Sequence, residues 1–166
     1  MKRIFVLLIG LLILTAGCTT LPIDRPTHQE RPVTLILNNS MDDTKVMEVS
    51  VVELPAEYSI RRDNDSRVTT SIGQGLSIHD PGDGRVYETV ELPESARLHG
   101  RDSLKPGDSN ETSISSLPRN FAIVVVIYQN EEEIASYVTA NCDDLALAQL
   151  RVEYDPEGAS GTYACV

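Results

Sequence analysis

Tryptophan is absent from this 166-residue chain, aromatic residues make up 5% of it, and it holds only three cysteines, three histidines and three methionines. So few rings leave little from which to build a base-stacking platform or an aromatic strip for sugars. Bases are scarce as well: 14 stand against 25 acids, a formal charge of −11. A surface of that sign repels phosphate backbones, which excludes nucleic acid as a general partner. No internal repeat is present, and beyond the N-terminus no apolar run approaches the ~20 residues of a membrane-spanning helix. With 41% hydrophobic residues, the chain has material for one ordinary domain.

The chemistry-bearing motifs are equally sparse. There is no HExxH, no GxSxG elbow, no Walker loop and no dinucleotide fingerprint; Gly73-Gln74-Gly75 is too short and no helical pattern follows it. His28, His79 and His99 are scattered, and each reads as a solvated side chain rather than a ligand. A blue-copper site needs a Cys followed within a few residues by His and then Met. Neither Cys142 nor Cys165 is followed by either residue, so copper is excluded. Among so many carboxylates no catalytic pair stands out, and no enzyme activity and no cofactor are expected.

What is present begins at residue 2. Lys2 and Arg3 form a basic start, and Ile4–Leu14 is an apolar stretch broken only by Gly10. At about eleven residues it suits the core of an export signal and is too short to cross a hydrocarbon layer of about 30 Å. Leu14-Thr15-Ala16-Gly17-Cys18 follows. Two small residues give a peptidase an uncrowded backbone, and the next side chain is a thiol that can accept lipid. Residues 1–20 resemble the signal and lipobox of prokaryotic lipoproteins, with Thr15 where that pattern usually has an aliphatic residue. The resemblance implies cleavage after residue 17, lipidation of Cys18 and residence on the outer face of the cell membrane, with membrane lipid as a partner. Each buried methylene contributes about 0.8 kcal/mol to such an anchor. Thr19–Pro32, with Pro22, Pro26 and Pro32 among polar residues, then reads as an extended tether. At about 3.1 Å per residue it would hold a domain some 40 Å from the lipid, unless part of it lies along that domain as an edge strand.

Taking Lys2 and Arg3 from the 14 bases leaves 12 against 25 acids, a balance of −13, with Lys45 and Lys105 the remaining lysines. This acid-rich, lysine-poor balance resembles extracellular proteins of salt-loving archaea. Its self-repulsion is screened to within about 3 Å in molar salt. Three glycosylation sequons begin at Asn38, Asn64 and Asn110, all in stretches that read as turns.

The body of the chain alternates with a period of two. Val33, Leu35 and Leu37 form one such series; Met47, Val49 and Val51 form a second, where Val52 and Leu54 shift parity and point to a bulge or a strand end before Pro55. Arg61–Arg67 reads as a charged loop, and Val86–Leu92 as a strand between Asp80-Pro81-Gly82-Asp83-Gly84 and Pro93. Leu104–Ser109 resembles a turn found in many immunoglobulin-like modules. Phe121–Tyr128 is the most apolar run and heavily β-branched, the composition of a strand covered on both faces. Ile134–Ala140 returns, Leu150, Val152 and Tyr154 alternate, Asp155-Pro156-Glu157-Gly158 turns, and Thr162–Val166 closes a last hairpin. A helical rival spans Glu131–Leu150, which leaves a short helix at Asp143–Ala148 as the alternative to strand and turn. The pattern predicts an all-β, antiparallel sandwich over residues 33–166, immunoglobulin-like or related.

With Cys18 taken by lipid, Cys142 and Cys165 are expected to pair, closing a loop of roughly two dozen residues for on the order of 3 kcal/mol. Asp63 and Asp65, and Asp80 with Asp83, are the nearest approach to a calcium site, but they lack the Gly and Glu of an EF-hand loop and read better as solvated turns. Two functions follow. One is an anchored module for binding, adhesion or envelope organisation, with a protein or envelope partner. The other is an accessory or solute-binding component beside a membrane transporter or enzyme complex, which a cleft of convergent carboxylates would favour.

Overall fold

The computed structural model describes residues 28–29, 31–62, 66–82, 86–130 and 132–166. The expected signal segment, lipidated Cys18 and the sites at Asp63, Asn64, Asp65 and Asp83 lie outside these residues. The strands in chain order are β1 (His28–Gln29), β2 (Val33–Asn39), β3 (Lys45–Glu53), β4 (Glu57–Arg62), β5 (Arg67–Ser71), β6 (Gly75–His79), β7 (Tyr87–Glu91), β8 (Arg97–Leu104), β9 (Ser109–Ile114), β10 (Leu117–Pro118), β11 (Phe121–Tyr128), β12 (Ile134–Asn141), β13 (Leu147–Asp155) and β14 (Gly158–Cys165).

Two sheets face each other. One has the order β14-β13-β2-β9; the other runs β5-β4-β7-β12-β11-β3-β8, with β6 also paired to β12. The period-two residues explain the packing. Val33, Leu35 and Leu37 on β2, Leu150 and Val152 on β13, Met47, Val49 and Val51 on β3, and Ile123, Val125 and Ile127 on β11 form one buried cluster between the sheets. Each such aliphatic side chain contributes roughly 1.5–3 kcal/mol when fully withdrawn from water. All ladders are antiparallel except β2 with β13, which run parallel with Leu35 opposite Leu150. The all-β sandwich is therefore as expected, while the narrower immunoglobulin-like comparison rests on pattern alone.

The central strand β11 is buried on both faces, as its composition predicts. A second cluster explains why. Strands β5, β4 and β7 form a three-stranded wing that joins β12, among the described residues, through a single ladder pair, Ile134 with Tyr87. The wing's Tyr58, Ile60 and Tyr87 pack with Val52, Val124, Val126 and Tyr137 of the main sheet. Two expectations are resolved as a result. The parity shift at Val52 marks the approaching strand end before Pro55 and no bulge: β3 ends at Glu53, Val51 serves the first cluster and Val52 the second, and the register shift against β8 lies between Val49 and Ser50. Within the charged stretch Arg61–Arg67, expected as a loop, Arg61 and Arg62 belong to β4 and Arg67 begins β5; Arg61 lies opposite Arg67 and reaches Glu88 at 2.9 Å.

The alternative of a short helix at Asp143–Ala148 is not realised. Asp143 has φ 53°, outside the right-handed helical region, and Leu145 N donates to Cys142 O at 3.0 Å in a tight turn. Ala146 then exchanges backbone bonds with Val166, and Leu147 already belongs to β13. Cys142 and Cys165 have their sulfurs at 2.01 Å and their Cα atoms at 5.8 Å, linking the end of β12 to the end of β14 and so one sheet to the other. Of the tether, His28 and Gln29 lie along the domain as β1, opposite Pro118 and Leu117. Gln29 Nε2 donates to Leu147 O at 2.9 Å and to Arg31 O at 2.6 Å. The edge-strand alternative therefore holds for these two residues.

Candidate functional site

The sandwich has an entry end, where β2 and β13 begin, and a far end, where they finish. At the far end the loops leave an open cleft of about 630 Å³ lined by Met41, Asp80, Pro81, Gly82, Val86, Gln129, Glu133, Ala135, Tyr154, Asp155, Pro156, Glu157 and Gly158. Three local devices shape it. Gly158, at φ +120°, ends the Asp155–Gly158 turn; a Cβ there would lie 3.0 Å from Asp80 Oδ2, so a side-chain-free residue lets the Asp80 carboxylate come this close. Ala159 N donates to Asp80 Oδ1 at 3.4 Å. Buried Asn39 ties the β2–β3 loop, donating through Nδ2 to Asp43 O (2.7 Å) and Leu104 O (2.9 Å) and accepting from Met41 N (3.1 Å).

Beside the cleft lies Lys45, fully buried, with Nζ 2.9 Å from Asp43 Oδ2, 3.1 Å from Gln129 Oε1 and 5.7 Å from the centre of the Tyr154 ring. Burial raises the Tyr154 phenol above its ordinary pKa, and the charges of Asp80 and Asp43 add to the effect. The arrangement is a rim of Asp80, Glu133, Asp155 and Glu157 close to a neutralised cation. Among the described residues no three His, Cys, Asp or Glu side chains converge to hold a metal ion. A calcium shell needs six to eight oxygens, so the rim can draw in cationic groups without forming such a shell.

The sequence assigned His79 to solvent, but it lies on β6, partly buried, with its ring stacked on Tyr137 at 4.4 Å and 11°. Burial lowers its pKa and the neighbouring Asp80 charge partly opposes that. His99 is exposed on β8, as expected. The sequons at Asn38 and Asn110 sit on strands β2 and β9 rather than in turns. Asn38 lies on the outer face, bonded to Ser109 Oγ at 2.6 Å; Asn110 is opposite Leu37 and shares its core-facing side. Sequence reasoning missed Asn39 and Lys45, because a polar residue's burial depends on partners far along the chain, such as Leu104 and Gln129. It also missed that the turn Asp155–Gly158 receives Asp80, although the Gly in that turn was a signal.

A second opening lies at the entry end, a groove of about 600 Å³ along the seam between the wing and the main sheet, with Leu54, Ala56, Ile72, Pro93, Asn120 and Asn141 in its walls. Among the described residues, no His or Cys lines either opening. No known protein family matches the chain, and no curated protein matches it.

Proposed function

We propose that this chain is a lipid-anchored extracytoplasmic protein that presents one β-sandwich as a binding, adhesion or envelope-organising module, without catalysis and without a cofactor. The observation that carries the reading is the apolar run Ile4–Leu14 ending in Ala16-Gly17-Cys18. It supplies an export signal and a thiol for lipid, and two acyl chains on one glyceryl group hold a protein at a membrane where one chain does not. The Cys142–Cys165 pair supports it, since bridges of this kind persist in oxidising compartments. The acidic, lysine-poor composition supports a saline exterior like that of haloarchaea. The immunoglobulin-like comparison is a finer reading of the same sandwich. Binding would fall to the end loops and sheet edges, where the side chains are exposed.

One observation favours a second reading, an accessory or solute-binding component beside a membrane complex: four carboxylates rim the far-end cleft. The leading reading is tested by intact-mass analysis of protein extracted from native membranes. The expected mass is that of residues 18–166 with a diacylglyceryl addition and two hydrogens fewer for the bridge. A chain that keeps Met1 and leaves the Cys18 thiol free to alkylate overturns anchor, location and role together.

A further inference from the structure

Among the described residues Lys45 is the only charged side chain that is buried, at 0% exposure. Burying an ammonium is costly unless its partners are well placed, and its two partners are a carboxylate and a primary amide. The geometry points to a modification site: an isopeptide bond between Lys45 Nζ and Gln129 Cδ, formed by the protein on itself with loss of ammonia.

The fold brings the two side chains together. Strands β3 and β11 are antiparallel with Val46 opposite Tyr128, so the next pair in that register is Lys45 with Gln129. Lys45 Nζ lies 3.1 Å from Gln129 Oε1, and the acyl carbon is one bond beyond that oxygen. Both residues are held by backbone: Lys45 opens the nine-residue strand β3, and Gln129 N donates to Glu133 O at 2.8 Å. Two reactants fixed in contact behave as if at effective molarities that reach about 10⁵–10⁸ M. The third group is Asp43, whose Oδ2 is 2.9 Å from Nζ, within the ~2.6–3.2 Å reach of a general base. Asn39 Nδ2 donates to Asp43 O at 2.7 Å and so holds that residue in place.

The step balances without any other reagent. The Asp43 carboxylate takes one proton from the Lys45 ammonium, and the freed lone pair on Nζ attacks Gln129 Cδ. The carbonyl pair moves onto Oε1. Asp43 returns its proton to Nε2, the carbonyl re-forms, and the Cδ–Nε2 bond breaks with its electrons going to nitrogen. Nζ gives up its second proton to the departing ammonia. An ammonium and a primary amide thus become a secondary amide and an ammonium ion. The product removes the buried charge, and Gln129 is exposed and lines the far-end cleft, so the ammonium ion leaves into water.

This is one self-modification without turnover, and it does not depend on the lipid anchor. Its consequence bears on adhesion. Force passing along the chain crosses from residue 45 to residue 129 through the new bond, and from Cys142 to Cys165 through the bridge. The strands between each pair are then shielded from stretching.

The test takes the full chain folded in molar salt, then denatures, reduces and digests it with a protease that cuts after Asp and Glu. The expected product is residues 44–48 joined to residues 112–131, one ammonia lighter than the two peptides together. Neither peptide contains Cys, so lipid and bridge do not affect the reading. Asp43→Asn keeps the shape of the side chain and removes the proton carrier; linkage should slow by about 10²–10⁴-fold, leaving Lys45 open to reductive methylation after denaturation. An intact Cys142–Cys165 bridge and an unchanged circular dichroism spectrum show that this variant has folded. Separate peptides from the folded parent chain overturn the proposal. So does a link from Lys45 to Asp43, which is one water lighter. Linkage at the parental rate in Asp43→Asn overturns the role given to Asp43.

Discussion

Replacing Tyr137 with Ala is expected to release the wing while leaving the sandwich closed. Tyr137 is 1% exposed and lies on the wing-facing side of β12. Its ring meets Tyr58 edge-on at 5.6 Å and Tyr87 at 5.4 Å, stacks on His79, and its hydroxyl lies 3.3 Å from that of Tyr58. Truncating a buried aromatic side chain costs about 3–5 kcal/mol. Two of its three ring partners, Tyr58 and Tyr87, belong to the wing, which among the described residues otherwise shares one ladder pair with β12. Since 1.4 kcal/mol is a factor of ten, the opening equilibrium of the wing shifts by up to about a hundredfold. Hydrogen exchange read by mass spectrometry detects this directly: amides of β4, β5 and β7 exchange faster by that factor, and those of β2 and β13 do not change. Val138 is the control. It neighbours Tyr137 on β12 but belongs to the inter-sheet cluster, so Val138→Ala accelerates β2 and β13 as well. Uniform acceleration in Tyr137→Ala, or none in the wing, refutes the division into two cores.

Three further outcomes follow from the same structure. Cys142→Ser with Cys165→Ser opens a loop with a sequence separation of 23; the loss is about 3 kcal/mol, a fall in Tm of roughly 10 °C by calorimetry, and an unchanged Tm would remove the inter-sheet staple as a source of stability. Burial lowers the His79 pKa below its ordinary 6.5, so its neutral form contributes stability above that value which is lost as pH falls through the folded pKa. Denaturation midpoints of His79→Gln between pH 7.5 and 5 should therefore fall less than those of the parent chain, and parallel curves contradict the burial argument. In dilute buffer the excess of acids, −11 over the full sequence, repels itself, so Tm should rise steadily toward molar salt; equal melts in both removes the saline-exterior reading.

Where period and composition agree, the strands were legible. β2, β11 and β13 bury one or both faces in apolar side chains, and the turn at Asp155–Gly158 carries its own Gly. β8 and β5 were not legible, because an edge strand is defined by a neighbour and not by burial. Leu98 is 64% exposed, and every residue of β5 is exposed. Arg101 on β8 earns its place through Glu48 at 3.6 Å and the ring of Tyr128 at 4.7 Å, both long-range partners. The bulge alternative at Val52 failed for a related reason. Its parity looks irregular only if a strand is assumed to have one buried face, and the wing that buries the other face includes β4 and β5, which meet across the stretch Arg61–Arg67 that reads as a charged loop. The acid rim was visible only as scattered carboxylates, since its geometry depends on where three separate connections end.

The seam that attaches the wing is also the seam that makes the groove. A sheet continuous from β4 to β12 would have filled this region with ladder hydrogen bonds. A single pair at Ile134 and Tyr87 leaves the hydrogen-bonded edge short and places the work of attachment on Tyr58, Tyr87 and Tyr137, three of the eight Tyr and Phe side chains in the chain. Those rings lie on one side of Ala56 and Ile72, which pack against the same cluster and line the groove as well. Loosening the tyrosines therefore moves one wall of the groove, and filling the groove with apolar side chains braces the wing.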